Sequence, residues 1–68
     1  MPIVHIHLHH GRSNEKKRML VEKVTNAICE SVDVTPERVQ IILHDVMPEN
    51  YGKAGVLGLD AAKIEKKN

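Results

Sequence analysis

Two short segments of period two flank one longer segment of helical period, and that order leaves the chain few folds to adopt. From Ile3 to His9 the residues Val4, Ile6 and Leu8 alternate with His5, His7 and His9, the pattern of a strand with one apolar face. Alternation returns from Val39 to Val46, with Val39, Ile41 and Leu43 on one side and Gln40, Ile42 and His44 on the other. Between them, from about Asn14 to about Val32, Leu20, Val24, Ala27, Ile28 and Val32 recur at helical spacing with no Gly or Pro to interrupt them. Two strands joined by a helix of that length pair in parallel through a right-handed crossover. The expected fold class is therefore α/β, a single βαβ unit.

Local chemistry sets the ends of these elements. Gly11 closes the first strand and Ser13 is placed to cap the helix, with Asn14 and Glu15 in the first turn, where polar and acidic groups suit the helix dipole. Lys16 stands where a reciprocal capping box would need Glu or Gln. Thr35-Pro36-Glu37-Arg38 reads as one short turn, a capping residue followed by a proline at the first helical position. Past the second strand, Pro48, Gly52, Gly55 and Gly58 punctuate the chain, and a short C-terminal hairpin is expected around Tyr51 to Val56. The final LDAAKIEKKN reads as a short helical arm or a frayed tail.

Size then makes a demand of its own. At 68 residues the chain is one domain, residues 1–68, near the limit at which a single core suffices. Cys29 is the only cysteine, so no internal disulfide helps, and Tyr51 is the only aromatic apart from the histidines. Two parallel strands and one helix also leave both sheet edges open and one sheet face uncovered. Burial against further copies of the same chain is the expected remedy. Ten basic against nine acidic residues give a net charge of +1, which offers no electrostatic case for a nucleic-acid partner. With no long apolar run and no secretory-type N-terminal segment, no membrane partner is expected and a cytoplasmic location is.

Four features have the chemistry to do work. Pro2 fits the first position of a strand because it lacks an N–H, but removal of Met1 would also turn its nitrogen into a secondary amine. An initiator methionine is normally cleaved ahead of a small residue, proline included. A free α-amino group titrates at about 7.7–8.0, and apolar burial or a nearby cation lowers that value toward the range of a general base at neutral pH. Arg12, between a strand end and a helix start, is a candidate anion site or an ordinary surface arginine. Tyr51, before Gly52, is a candidate pocket wall or a hairpin anchor.

The fourth feature is the run of His5, His7, His9 and His10. Alternate histidines on a strand share a face and can supply two zinc ligands, with Asp45 or His44 as the only evident source of a third. No HExxH-type spacing supports a metal, so solvated or subunit-contact histidines are the first reading and no metal ligand set is assigned.

Together, the segment MPIVHIHLHHGRSNEKKRMLVEKV and the later YGKAG resemble the 4-oxalocrotonate tautomerase family over nearly the whole chain. The resemblance implies a homohexamer, a trimer of dimers whose βαβ units pair into four-stranded sheets. It also implies cofactor-independent tautomerisation of a small unsaturated 2-oxo or 2-hydroxy acid resembling 2-hydroxymuconate. Pro2 would then be the general base, Arg12 would hold a substrate carboxylate, and Tyr51 would form the aromatic wall of the pocket. Gln40 stands where relatives acting on dicarboxylated muconates carry an arginine that polarises the 2-oxo group. Arg38, two residues earlier on the same face, sits in the preceding turn. A promiscuous tautomerase with a non-muconate substrate is therefore a live alternative.

His7 matches a position at which relatives can have histidine, whereas His5, His9 and His10 add nothing to the tautomerase reading. They leave open a metal- or protein-binding oligomeric module using the His5, His7 and His9 face, with pH-sensitive assembly expected ahead of zinc. Hydration or dehalogenation of a haloacrylate would use the same proline as an acid, and would need Asp45 or Glu49 to activate water.

Overall fold

The computed structural model describes residues 2–61. Strand β1 (Ile3–His9) pairs in parallel with β2 (Gln40–Val46), and helix α1 (Asn14–Val32) connects them, so the βαβ unit forms as the periodicities require. In register, Ile3 lies opposite Gln40, His7 opposite His44 and His9 opposite Val46. The ladder is extended at both ends, by Gln40 N–H donating to the Pro2 carbonyl and by His10 N–H donating to the Val46 carbonyl, each at 3.0 Å. Strand β2 begins one residue later than the alternation predicts. Val39 N–H is committed to the Pro36 carbonyl at 3.1 Å, closing the 3-10 turn Pro36–Arg38, so Val39 joins that turn and not the sheet.

Helix α1 starts where its cap dictates. Ser13 Oγ accepts from Lys16 N–H at 3.2 Å, and the Ser13 carbonyl accepts from Lys17 N–H at 3.1 Å. At the other end Asp33 takes a left-handed conformation, φ 60°, and its N–H donates to the Cys29 carbonyl at 3.1 Å. The half-buried line of the helix runs through Lys17, Leu20, Val21, Val24, Thr25, Ile28 and Cys29. Ala27, expected in that stripe, is one residue off the line and exposed, and Val32 in the last turn is 56% exposed. Val4, Ile6, Leu8, Ile41 and Leu43 are the half-buried residues of the matching sheet face. Lys17 Nζ also bonds Asp45 Oδ2 at 2.9 Å, which ties α1 to β2. Being partly solvated, that pair contributes at most about 1 kcal/mol.

The hairpin is formed by β3 (Gly52–Lys53) and β4 (Val56–Leu57), antiparallel, with Lys53 opposite Val56. Ala54 and Gly55 are the two turn residues, and both have positive φ, 56° and 80°. A two-residue hairpin loop of this twist requires that geometry. Behind the hairpin a Cβ on Gly58 would sit 2.8 Å from the Pro48 carbonyl oxygen, so only glycine fits there. Residues 58–61 are helical, and the rest of the expected C-terminal arm lies outside the described residues.

No described residue is fully buried. The sheet face away from α1 carries Ile3 and Ile42, 53% and 42% exposed, among the histidines. Among the described residues no helix is long and apolar enough to cross a membrane.

Candidate functional site

At one end of the sheet, Pro2 and Gln40 are held together by the backbone. Pro2 has no N–H to contribute to a ladder, so its carbonyl starts one by accepting from Gln40 N–H at 3.0 Å. Pro2 itself is half-buried. With Met1 attached its nitrogen is an amide and has no basicity, whereas a free Pro2 would present a secondary amine at the head of β1, next to the residue that opens β2.

Arg12 and Tyr51 stand at the opposite end and share a neighbour, His9. After Gly11, whose φ of 105° allows the chain to leave the strand direction, Arg12 turns back so that Nη1–H donates to the His9 carbonyl at 3.3 Å. Tyr51 meets the His9 ring edge-on, with centroids 4.7 Å apart and planes at 88°. Sequence reasoning gave His9 no part at this end. The available signal was its place as the last strand residue before the glycine-arginine turn. Arg12, Lys16 and Lys17, with Leu8 and Leu20, line a cleft of about 180 Å³, whose charge and apolar floor suit the carboxylate and carbon chain of a small organic acid. A larger cleft of about 470 Å³, lined by residues such as Arg18, Glu22 and Leu43, follows the groove between helix and sheet and includes none of Pro2, Arg12, Gln40 and Tyr51.

The four residues singled out in the sequence thus fall into two pairs. Pro2 and Gln40 are separated from Arg12 and Tyr51 by the whole of β1, roughly 23 Å at the rise of an extended strand. One chain brings together each pair but not both. Of the carboxylates considered for activating water, Asp45 is bonded to Lys17 opposite Leu8, and Glu49 lies in the 3-10 turn Pro48–Asn50. Neither stands at the Pro2 end of its own chain.

The histidines are joined across the strands. His5 Nδ1 and His44 Nε2 are 2.9 Å apart, with the two rings stacked at 14° and centroids 5.1 Å apart. His7 also stacks on His44, with centroids 4.6 Å apart and planes at 16°. Among the described residues no group of three or more His, Cys, Asp or Glu is arranged to hold a metal ion.

Comparison with known proteins adds independent observations. The family model described as "Tautomerase enzyme" matches residues 2–59. A 2-hydroxymuconate tautomerase of Comamonas testosteroni is 45% identical over 56 residues, covering 82% of this chain and 89% of that protein. Among solved structures, that of a 4-oxalocrotonate tautomerase isozyme from Methylibium petroleiphilum superposes with a TM-score of 0.79 at 43% identity, covering 85% of this chain and 94% of its own. A heterohexameric 4-oxalocrotonate tautomerase from Chloroflexus aurantiacus superposes with a TM-score of 0.80 at 27% identity, covering 88% of this chain and 97% of its own.

Proposed function

The chain belongs to the tautomerase family and is a tautomerase, an isomerase, and from that premise we propose that it moves a proton within a small unsaturated 2-hydroxy or 2-oxo acid resembling 2-hydroxymuconate, using the Pro2 amine. In the enol-to-ketone direction the amine takes the proton of the 2-hydroxyl group. The electron pair of that O–H bond becomes the C=O bond, the enol double bond shifts, and the protonated amine returns its proton to carbon. No atom is gained or lost, and the residues named supply every proton the step needs without a cofactor.

Each remaining residue has a distinct task. The Arg12 fork pairs with the substrate carboxylate and fixes which carbon faces the amine. Gln40 donates its side-chain amide hydrogen to the 2-oxygen as negative charge develops there. Tyr51, standing against His9, walls off water, which keeps the proline nitrogen in the low-dielectric setting that a neutral amine needs.

The single observation that carries this reading is the separation of the two residue pairs by the length of β1. A base with no carboxylate clamp at one end of a sheet, and a clamp with no base at the other, complement each other when two copies pair edge to edge and antiparallel. The proposed enzyme is accordingly a homo-oligomer, a hexamer built as a trimer of dimers with four-stranded sheets, in which one chain supplies Pro2 and Gln40 and a neighbour supplies Arg12 and Tyr51. A second reading, a tautomerase whose natural substrate has a single carboxylate, is favoured by Gln40, which brings no second positive charge.

Ultraviolet assay of dienol loss tests these roles, with intact mass used first to establish that Met1 is absent from the assayed protein. Pro2→Ala is expected to lower kcat/KM at least about 100-fold, the usual contribution of a positioned base. Arg12→Ala is expected to cost about 10- to 100-fold, mostly through KM, as fits loss of a charge-assisted hydrogen bond. Wild-type turnover by both variants, on 2-hydroxymuconate and on an arylpyruvate enol, would overturn the assignment.

A further inference from the structure

We propose that His5 and His44 form a two-histidine clip for a borderline divalent metal cation such as Zn²⁺, on the sheet face that α1 leaves uncovered. The tautomerase reading uses neither residue, so this inference stands apart from it. Its basis is geometric. His5 lies opposite Ile42 in the register and His44 opposite His7, so the pair is diagonal, one ring from each strand. Their facing nitrogens, Nδ1 of His5 and Nε2 of His44, are 2.9 Å apart. Two imidazole nitrogens bound to one tetrahedral zinc at about 2.0–2.1 Å stand about 3.3 Å from each other. A widening of about 0.4 Å, with each ring swung by roughly 35° so that its lone pair leaves the N···N line and points at the metal, converts the hydrogen-bonded pair into a chelating pair.

The protons balance without a co-reactant. In the metal-free pair one ring donates its N–H to the lone pair of the other. For the cation to enter, the donor ring passes that proton through solvent to its other ring nitrogen, and both facing nitrogens then offer lone pairs. Two neutral imidazoles release no net proton. Neutral imidazole is a ligand suited to Zn²⁺, Cu²⁺ and Ni²⁺ and ill suited to Mg²⁺ or Ca²⁺, which sets the class of cation.

His7 has a supporting role. Stacked on His44, with centroids 4.6 Å apart and planes at 16°, it packs against that ring, and among the described residues no group of three His, Cys, Asp or Glu is arranged to hold a metal ion. Asp45, the other ligand considered from the sequence, is bonded to Lys17, which belongs to the helix on the opposite sheet face. The clip is thus bidentate, with water filling the other positions. Spacing along β1 points to His5 and His7 as the chelating pair, whereas the 2.9 Å contact across the strands points to His5 and His44.

Calorimetric titration of untagged, fully assembled protein with ZnCl₂ at neutral pH tests this, with thermal unfolding as a second readout. Expected are saturation at one Zn²⁺ per chain and a zinc-dependent rise in Tm, because an ion that joins β1 to β2 binds only the folded state. His5→Gln and His44→Gln, made separately, are each expected to weaken zinc binding at least tenfold and to abolish the Tm rise. His10→Gln is expected to bind as the wild type does. Absence of saturable binding by wild type, or wild-type affinity in either His5→Gln or His44→Gln, would overturn the proposal. Using two variants keeps the test decisive if one of them fails to fold.

Discussion

Gln40 determines how much charge the proposed site sets against a developing enolate. Its backbone is fixed by the bond to Pro2, so its side chain starts from the head of β2, next to the proposed base. An amide hydrogen stabilises an oxyanion through a neutral hydrogen bond, whereas a guanidinium adds a full charge in a site from which water is excluded. Gln40→Arg should therefore raise kcat/KM on 2-hydroxymuconate by about tenfold or more, as a charge-assisted bond replaces a neutral one. Unchanged kcat/KM in Gln40→Arg would mean that position 40 does not contact the reacting oxygen.

At the scale of elements, two non-glycine residues among those described are held at positive φ, and both can be relieved. Ala54 occupies the first turn position of the hairpin at φ 56°, where asparagine is tolerated better because its side chain bonds locally to the backbone. Asp33 ends α1 at φ 60°, a position that favours glycine. Ala54→Asn and Asp33→Gly should each raise stability by about 0.5–1 kcal/mol, seen in a chain of this size as a Tm increase of a few degrees. Unchanged or lower melting temperatures would show that the strain is relieved by other means. These two positions also mark a limit of sequence reading. The strands, the helix and its Ser13 cap were legible because they depend on spacings of a few residues, and the hairpin because glycines punctuate it. The left-handed alanine carries no local signal. Nor was the first residue of β2 legible, since that depends on Val39 giving its N–H to a turn. The cross-strand pairing of His5 with His44 is further from view, because it exists only once the register is set.

The scale of the whole molecule is where the sequence was least complete and its physical demand plainest. Aliphatic composition, open edges and a bare sheet face all called for additional copies, and the described residues, none fully buried, make the same demand. Pro2 and Arg12 could each be picked out by residue type and neighbours, and the alternating run between them already put them at opposite ends of one strand, as β1 does. If sites form between chains, then activity belongs to pairs of chains, and two defective chains can complement each other. Pro2→Ala protein, unfolded and refolded together with an equal amount of Arg12→Ala protein, should regain about a quarter of wild-type activity, the fraction of sites drawing an intact residue from each chain at random mixing. Each variant refolded alone should stay at its own low level. A mixture no more active than the mean of its two components would place the proline and the arginine of a working site in the same chain.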